Sequence, residues 1–261
     1  NLLKISQTEV YEVATFYHHF DIIKGDEKIP PSLTVRVCDS VTCEINGANE
    51  LAQNLDDYFK GTVRIQKVPC IGRCQSAPVA VVKFNPIDNA NLKNVKQAVD
   101  AKEYDPSIPK YINMKEYIDK GGYKLFNKLK NNEIDSDKVL TELENSNLRG
   151  LGGAGFPAGK KWRILKDQPS PRLLAINIDE GEPGTFKDRF YLEMDPHRFF
   201  EGMLIASEVV GIDKIYIYLR DEYAAVRTLM TKELSQLRDK FKDQIPEIEL
   251  RRGAGAYICG E

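Results

Sequence analysis

Four of the five cysteines in this 261-residue chain form two close pairs, and each pair follows a predicted β-strand. Cys38 and Cys43 have four residues between them, and Cys70 and Cys74 have three. The segments that lead to Cys38 and Cys70 alternate apolar and polar residues and are rich in valine and isoleucine, as strands are. Two loops at strand ends can therefore each present two thiols, which favours a fold that brings both loops together.

Four such thiols allow three interpretations. Thiolates are soft donors that ligate iron, and backbone N–H groups in short loops can hydrogen-bond the sulfides of an iron–sulfur cluster. A structural zinc site uses the same four ligands. The cysteines could also pack as small apolar side chains or form disulfides. Close pairs in a chain of this length favour ligation in a reducing compartment, but the spacing alone leaves all three open.

The first part of the chain predicts a compact α/β unit around the cysteines. Segment 5–20 places apolar residues at helical spacing, 47–60 predicts a second helix, and 79–84 predicts a third strand. Segment 85–111 is rich in Asn, Lys, Asp and Pro without an apolar period, so we interpret it as a linker. We expect a domain boundary near residue 108.

The second part alternates predicted strands and helices, which indicates a mostly parallel sheet covered by helices. The predicted strands are 172–179, 214–220 and 247–253, and the predicted helices are 113–129, 136–146, 196–210 and 221–240.

Composition excludes several classes of function. With 37 basic and 39 acidic residues, the net charge of −2 offers no basic field for nucleic acid. No apolar run approaches the roughly 18 residues of a membrane span. The N-terminus lacks the pattern of a signal peptide, so we expect a cytoplasmic location. Because the chain starts at Asn1 within a predicted helix and stops at Glu261, we expect a fragment of a larger protein.

A glycine run at 150–155 formally matches G-x-G-x-x-G. A dinucleotide fingerprint needs a strand before it and a helix after it, whereas a helix end precedes this run and Phe156 follows. A flexible loop is the alternative. The glycines would still let backbone approach a planar or phosphorylated ligand, with Lys160, Lys161 and Arg163 supplying cations nearby.

An acidic segment with Asn177, Asp179, Glu180 and Glu182 follows a predicted strand. Ligands of open α/β sheets bind at the carboxyl ends of strands. Carboxylates accept hydrogen bonds from sugar hydroxyls and amides, and an asparagine can both donate and accept. A solvated acidic loop is the alternative.

The residues around the cysteines resemble a known family. C-D-S-V-T-C and C-I-G-R-C-Q-S-A-P resemble the thioredoxin-like [2Fe-2S] ferredoxin module of respiratory complex I, and VYEVATFYHHF resembles the helix that leads into it. This resemblance implies a [2Fe-2S] cluster held by the four paired cysteines, Cys38, Cys43, Cys70 and Cys74. Cys259 lies in a different motif and is left out.

The downstream motifs SNLRGLGGAGFPAGKKW, NIDEGEPGTFKDR and RRGAGAYICGE resemble the FMN- and NADH-binding subunit of complex I. The same domain occurs in diaphorase subunits of NAD-reducing hydrogenases and in the β subunit of NAD-dependent, molybdenum-containing formate dehydrogenases. Complex I usually has arginine at the position of Leu151, and GLGGAGFP is most similar to the formate dehydrogenase subunit. The implied α/β fold is a thioredoxin-like [2Fe-2S] domain over 1–108 followed by the N-terminal part of a Rossmann-like FMN/NAD(H)-binding domain over 109–261.

The resemblance also implies roles for single residues. Phe156 would stack on the adenine of NAD(H), Glu182 would act as the catalytic residue that orients the nicotinamide, and Ile164 stands where the family often has a second aromatic. Six positions match FMN contacts: Gly150, Gly152, Lys161, Asn177, Asp179 and Gly260. We also assign Gly153 and Glu180 to the cofactor-binding site. The positions matching the nucleotide site are Phe156, Glu182, Tyr257 and Glu261.

The implied activity is hydride exchange between NAD(H) and FMN, with single electrons passed to or from iron–sulfur clusters and formate as the electron source. Complex I and NAD-reducing hydrogenase are the alternatives, and a docking module without flavin chemistry is a further one. The expected partners are a molybdopterin/iron–sulfur catalytic subunit and a small ferredoxin-like subunit, without nucleic acid. A [4Fe-4S] cluster is expected only beyond Glu261.

Overall fold

The computed structural model of the protein describes residues 4–151 and 153–260. Within them the chain forms two β-sheets, each with its own apolar core. The strands are β1 Thr34–Cys38, β2 Arg64–Val68, β3 Ala80–Val82, β4 Asn85–Ile87, β5 Leu173–Ile178, β6 Lys214–Leu219 and β7 Glu247–Arg252. The helices are α1 Gln7–Phe16, α2 Val41–Ile45, α3 Ala48–Phe59, α4 Leu92–Asp100, α5 Met114–Asp119, α6 Lys124–Lys130, α7 Ser136–Asn145, α8 Ala158–Lys166, α9 Lys187–Met194, α10 Pro196–Val210 and α11 Ala224–Phe241.

The first sheet has the strand order β2-β1-β3-β4, in which β1 is parallel to β2 and antiparallel to β3. Its central strand buries Val35 and Val37 completely, because alternate side chains of a strand point to the same face. Helix α3 adds Leu55 to this core. The predicted strands before both cysteine pairs are confirmed: β1 ends at Cys38, and β2 ends just before the second pair.

The interpretation of segment 85–111 as a linker is wrong for its first part. Strand β4 pairs with β3, and helix α4 begins at a capping box in which Asn91 and Asn94 exchange hydrogen bonds. Helix α4 buries only Val95 and Ala98, so its apolar face is narrow. The surrounding polar residues therefore obscure the helical period in the sequence. The expected boundary near residue 108 falls between α4 and α5 and stays a prediction.

The second sheet is parallel throughout, in the order β5-β6-β7. Its central strand buries Ile215, Ile217 and Leu219 completely, and helices α10 and α11 contribute to the same core. Because the strands are parallel, their carboxyl ends meet at one edge of the sheet. None of the helices in the described part of the chain is long and apolar enough to cross a membrane.

Several predicted helices differ from the observed ones in number or length. The predicted helix 113–129 is two helices, because a turn with Gly121 at φ +94° and Tyr123 at φ +61° separates α5 from α6. Helices α8 and α9 were not predicted and are only nine and eight residues long. Helix α1 is shorter than the predicted 5–20 and buries none of its residues.

Candidate functional site

The four paired cysteines lie together at the carboxyl ends of β1 and β2. Cys70 Sγ is 3.5 Å from Cys74 Sγ, and Cys38 shares hydrogen bonds with both Cys43 and Cys70. Three of the thiols are buried, and that of Cys74 is half-buried. The structure therefore joins the two pairs that the sequence placed in separate loops.

These thiols have the chemistry of a cluster site. Backbone N–H groups donate to these thiols, among them that of Gly72 to Cys70 Sγ at 3.4 Å and that of Gly184 to Cys74 Sγ at 3.2 Å. Shared hydrogen bonds raise the pKa of Cys38 and of Cys70, and burial raises the pKa of Cys74. Thiols crowded in this way ionise together only beside cationic metal, so the residues present fit an iron–sulfur cluster. Among the described residues, no group of three or more His, Cys, Asp or Glu side chains is arranged to hold a single metal ion.

A second site, the cofactor cleft, lies at the carboxyl edge of the parallel sheet. Asn177 Nδ2 donates to the carbonyl of Gly260 at 2.5 Å, although 83 residues separate them in sequence. A Cβ at Gly260 would lie 2.5 Å from Cβ of Asp179, so only glycine allows this approach. The cleft is lined by Asn177, Asp179, Glu180, Gly181, Glu182, Tyr257 and Gly260.

The cofactor cleft is rich in hydrogen-bond acceptors. Asp179 is only 7% exposed, and burial raises the pKa of its carboxyl group while Arg220 opposes that shift. Tyr257 Oη donates to Glu182 Oε1 at 3.5 Å. Acceptors of this kind fit the hydroxyl groups of a ribityl chain or a ribose. A phosphate group would need donors or cations, which these carboxylates do not supply.

Glu180 contributes to the cleft through its backbone. Its side chain is 1% exposed, and its carboxylate accepts hydrogen bonds from the backbone N–H groups of Asp188 and Arg189 at 2.8 and 3.2 Å. Tyr223 Oη donates to the same carboxylate at 2.8 Å. The carboxylate thus caps helix α9, and the predicted role of Glu180 in cofactor binding would fall to its main chain.

The other predicted cofactor residues lie around helix α8. Phe156 and Lys161 line an apolar hollow with Ile164 and Leu165, separate from the cofactor cleft. Gly150 and Gly153 belong to the loop between α7 and α8, which confirms that no strand precedes the glycine run. The predicted residues Gly152 and Glu261 lie outside the described residues.

No sequence pattern predicted the residues that connect the two sites. Arg220 donates to the carbonyl of Glu180 at 2.6 Å and also to the carbonyl of Cys70. Arg189 Nε donates to the carbonyl of Gly72 at 3.0 Å. The one available signal was a charged residue, Arg220, directly after the buried strand β6 at the functional edge of the sheet.

The chain matches known families over most of its length. Residues 1–103 match the thioredoxin-like [2Fe-2S] ferredoxin family, and residues 143–261 match the Nuo51 FMN-binding domain. These matches agree with the predicted [2Fe-2S] cluster and FMN and confirm the predicted fold class. Neither match distinguishes the β subunit of formate dehydrogenase from the other subunits that share these domains.

Individual relatives include an NADH-quinone oxidoreductase subunit of Aquifex aeolicus, 41% identical over 59% of this chain and 37% of the relative. The alpha subunit of the NAD-reducing hydrogenase HoxS of Cupriavidus necator is 28% identical over 99% of this chain and 49% of the relative.

Among solved structures, an air-oxidized NAD+-reducing [NiFe]-hydrogenase superposes with a TM-score of 0.77 and 27% identity, over 97% of this chain and 47% of that chain. The chain thus spans half or less of the length of the relatives it matches. The two family matches together describe the fold as a thioredoxin-like [2Fe-2S] domain followed by a Nuo51 FMN-binding domain.

Proposed function

We propose that this chain is the part of a diaphorase-type subunit in which NAD(H) exchanges a hydride with FMN beside a [2Fe-2S] cluster. One observation carries the proposal: residues 177–184 serve both sites. Asn177 and Asp179 line the cofactor cleft, and the N–H group of Gly184 donates to Cys74 Sγ at 3.2 Å. When bound, FMN supplies two-electron chemistry with NAD(H) and one-electron chemistry with iron–sulfur clusters.

The residues of the chain would bind and orient these groups. Asn177 and Asp179 would hold polar edges and hydroxyl groups of the flavin, and Glu182 would accept a hydrogen bond from the nicotinamide amide. Phe156, which is 46% exposed, offers a ring face to adenine, and Lys161 in the same hollow would supply a positive charge to a phosphate group. Hydride exchange itself needs no acid or base from the protein.

We further propose that formate is the electron source and that the chain works in the cytoplasm. The motif GLGGAGFP with Leu151 supports formate, through its similarity to the β subunit of formate dehydrogenases. The partners would then be a molybdopterin/iron–sulfur subunit and a small ferredoxin-like subunit. Hydrogen and quinone are the alternatives, favoured by the names of the relatives. The purified complex is tested for reduction of NAD+ with formate and with hydrogen. Reduction with formate supports the proposal, reduction with hydrogen supports the hydrogenase alternative, and reduction with neither favours quinone.

The hydride step is tested by Glu182→Gln in the intact protein. We expect the variant to retain its flavin and to lose NADH-dependent flavin reduction by about tenfold or more, equivalent to about 1.4 kcal/mol of transition-state stabilisation. Glu142→Gln, on an exposed part of α7, is the matched control and should behave as the unmodified protein. Loss of flavin with nucleotide binding intact would contradict the assignment of Glu182.

The cluster is tested by metal analysis and by electron paramagnetic resonance after reduction with dithionite. Cys74→Ser should lose the signal of the reduced [2Fe-2S] cluster, whereas Cys259→Ser, outside the four, should keep it. Zinc without iron in the unmodified protein would refute the cluster. A protein with a cluster but no flavin would support the docking module instead.

A further inference from the structure

Arg220 lies between two loops that belong to different parts of the chain. We name residues 70–74 the cluster loop and residues 179–184 the acidic loop. The guanidinium group donates to the carbonyl of Cys70 in the cluster loop and, at 2.6 Å, to the carbonyl of Glu180 in the acidic loop. The Arg220 side chain is only 4% exposed, so both hydrogen bonds are shielded from water.

Other contacts hold the cluster loop in the same place. Arg189 Nε donates to the carbonyl of Gly72 at 3.0 Å, and the ring of Tyr223 packs directly against the same glycine. Tyr223 Oη in turn donates to the carboxylate of Glu180. Two carbonyl groups of the cluster loop are therefore bound by guanidinium groups of the second part of the chain, which fixes this loop relative to the acidic loop.

The charge of Arg220 acts in a poorly screened environment. Its ion-pair partner is Glu222, whose Oε2 atom is 3.2 Å from Nε and whose side chain is 11% exposed. A buried cation stabilises negative charge nearby more strongly than an exposed one does, because the surrounding dielectric is low. Reduction adds one negative charge to an iron–sulfur cluster, and net charge near a cluster is one of the factors that set its potential. Arg220 should favour the reduced cluster, and Glu222 should oppose that effect.

We propose that Arg220 is a positioning residue that fixes the cluster loop to the acidic loop, and that its positive charge raises the reduction potential of the [2Fe-2S] cluster. The inference rests on the proposed function only in requiring that cluster. It concerns neither the hydride step nor the identity of the electron source.

The test is a redox titration of the intact protein, in which dithionite supplies one electron to each cluster and electron paramagnetic resonance measures the reduced fraction. Arg220→Gln should lower the midpoint potential, and Glu222→Gln should raise it. Each shift should change the ratio of reduced to oxidised cluster at least tenfold at a fixed ambient potential, which is about 59 mV for a one-electron couple. Arg220→Lys keeps the charge and should keep the potential within that margin.

Arg238→Gln is the matched control, because Arg238 Nη2 also donates to a backbone carbonyl, that of Ile248 at 2.5 Å, but contacts neither loop. Its potential should equal that of the unmodified protein. Opposite shifts in the two glutamine variants at 220 and 222 would support the proposal, because a merely structural role predicts no change of sign. If the Arg220→Gln variant fails to assemble a cluster, the midpoint potential of the Glu222→Gln variant alone tests the proposal, because Arg220 is still present in that variant.

Unchanged potentials, or shifts in the same direction, would overturn the inference. The same samples separate it from the proposed function. If NADH fails to reduce the flavin of the unmodified protein while the potentials shift as expected, the proposed hydride exchange fails and Arg220 keeps its role. If the unmodified protein holds no cluster, both proposals fail.

Discussion

Gly72 occupies a position that no other residue fits without strain. Its φ of +71° lies in the left-handed region, and a Cβ atom there would overlap the ring of Tyr223. Both conditions arise from the same arrangement, because the cluster loop turns sharply where the second part of the chain packs against it. The requirement for glycine at residue 72 is therefore a property of the contact between the two parts.

We expect Gly72→Ala to lower the free energy of unfolding by about 1–3 kcal/mol, because the added methyl group meets both backbone strain and overpacking. Gly61→Ala is the matched control: Gly61 has a φ of +76° but no heavy atom within 4 Å of its would-be Cβ. Urea unfolding followed by circular dichroism measures both variants. Equal losses for the two would show that the contact with Tyr223 adds nothing.

At the scale of single residues, the positions of functional side chains that lie in short sequence motifs were predictable. The cysteine spacing placed four thiols in two loops, and the structure brings them together. Asn177 and Asp179 were placed correctly at the end of a strand, because that strand has a clear apolar pattern. Arg220 was not predictable: its partners Cys70 and Glu180 are 150 and 40 residues away, and no local pattern encodes such contacts.

Helix α9 begins where a distant carboxylate caps it. Its first backbone N–H groups, at Asp188 and Arg189, donate to Glu180, which lies seven residues before the first residue of the helix. Helix termini leave such N–H groups without intrahelical partners. Because the cap is not adjacent in sequence, the usual start signal was absent, and the sequence did not predict this helix.

We expect Glu180→Ala to lower the free energy of unfolding by about 2–3 kcal/mol, since it leaves buried donors, including Tyr223 Oη, without an acceptor. The control is Asn113→Ala, which removes the exposed side-chain cap of α5 and should cost about 1 kcal/mol. The two variants are compared by urea unfolding. A smaller loss at Glu180 than at Asn113 would contradict the assignment of Glu180 as a buried cap.

At the scale of the whole molecule, a buried polar network underlies the second core. His197 and Glu233 are both fully buried, and His197 Nε2 is 2.9 Å from Glu233 Oε2. The other ring nitrogen of His197 is 2.8 Å from Tyr123 Oη. Burial lowers the pKa of His197 below 6.5, and burial also lowers the pKa of His18, to about 4. Both imidazoles therefore bind a proton less readily in the folded protein than in the unfolded chain.

The sign of the pH dependence follows from these lowered pKa values. As pH falls through 6.5, the unfolded chain binds protons at both histidines more readily than the folded chain does. We expect the free energy of unfolding to fall between pH 7 and pH 5, by up to about 1.4 kcal/mol per pH unit for each histidine. His197→Asn and His18→Asn should each reduce this slope in urea titrations. A free energy of unfolding that increases toward pH 5 would refute the expectation.

The arrangement of the two sheets was beyond what sequence patterns predict. The strands of both sheets except β4 could be predicted from their own residues, because apolar alternation is a local signal. The contacts between the two parts include hydrogen bonds from Arg189 and Arg220 to main-chain carbonyls and from the N–H group of Gly184 to Cys74 Sγ. Main-chain groups are the same at almost every residue, so no sequence pattern encodes such contacts.

We expect these buried hydrogen bonds to hold the two parts together when the covalent connection between them is cut. The stretch between α4 and α5 contains the exposed residue Lys110, whereas the bonds of Arg189 and Arg220 lie inside the molecule. Limited trypsin cleavage after Lys110 should give two fragments that elute together in gel filtration. Arg220→Gln with Arg189→Gln should release them as separate species. The chain would then behave as a complex of two proteins that happen to be encoded in one polypeptide.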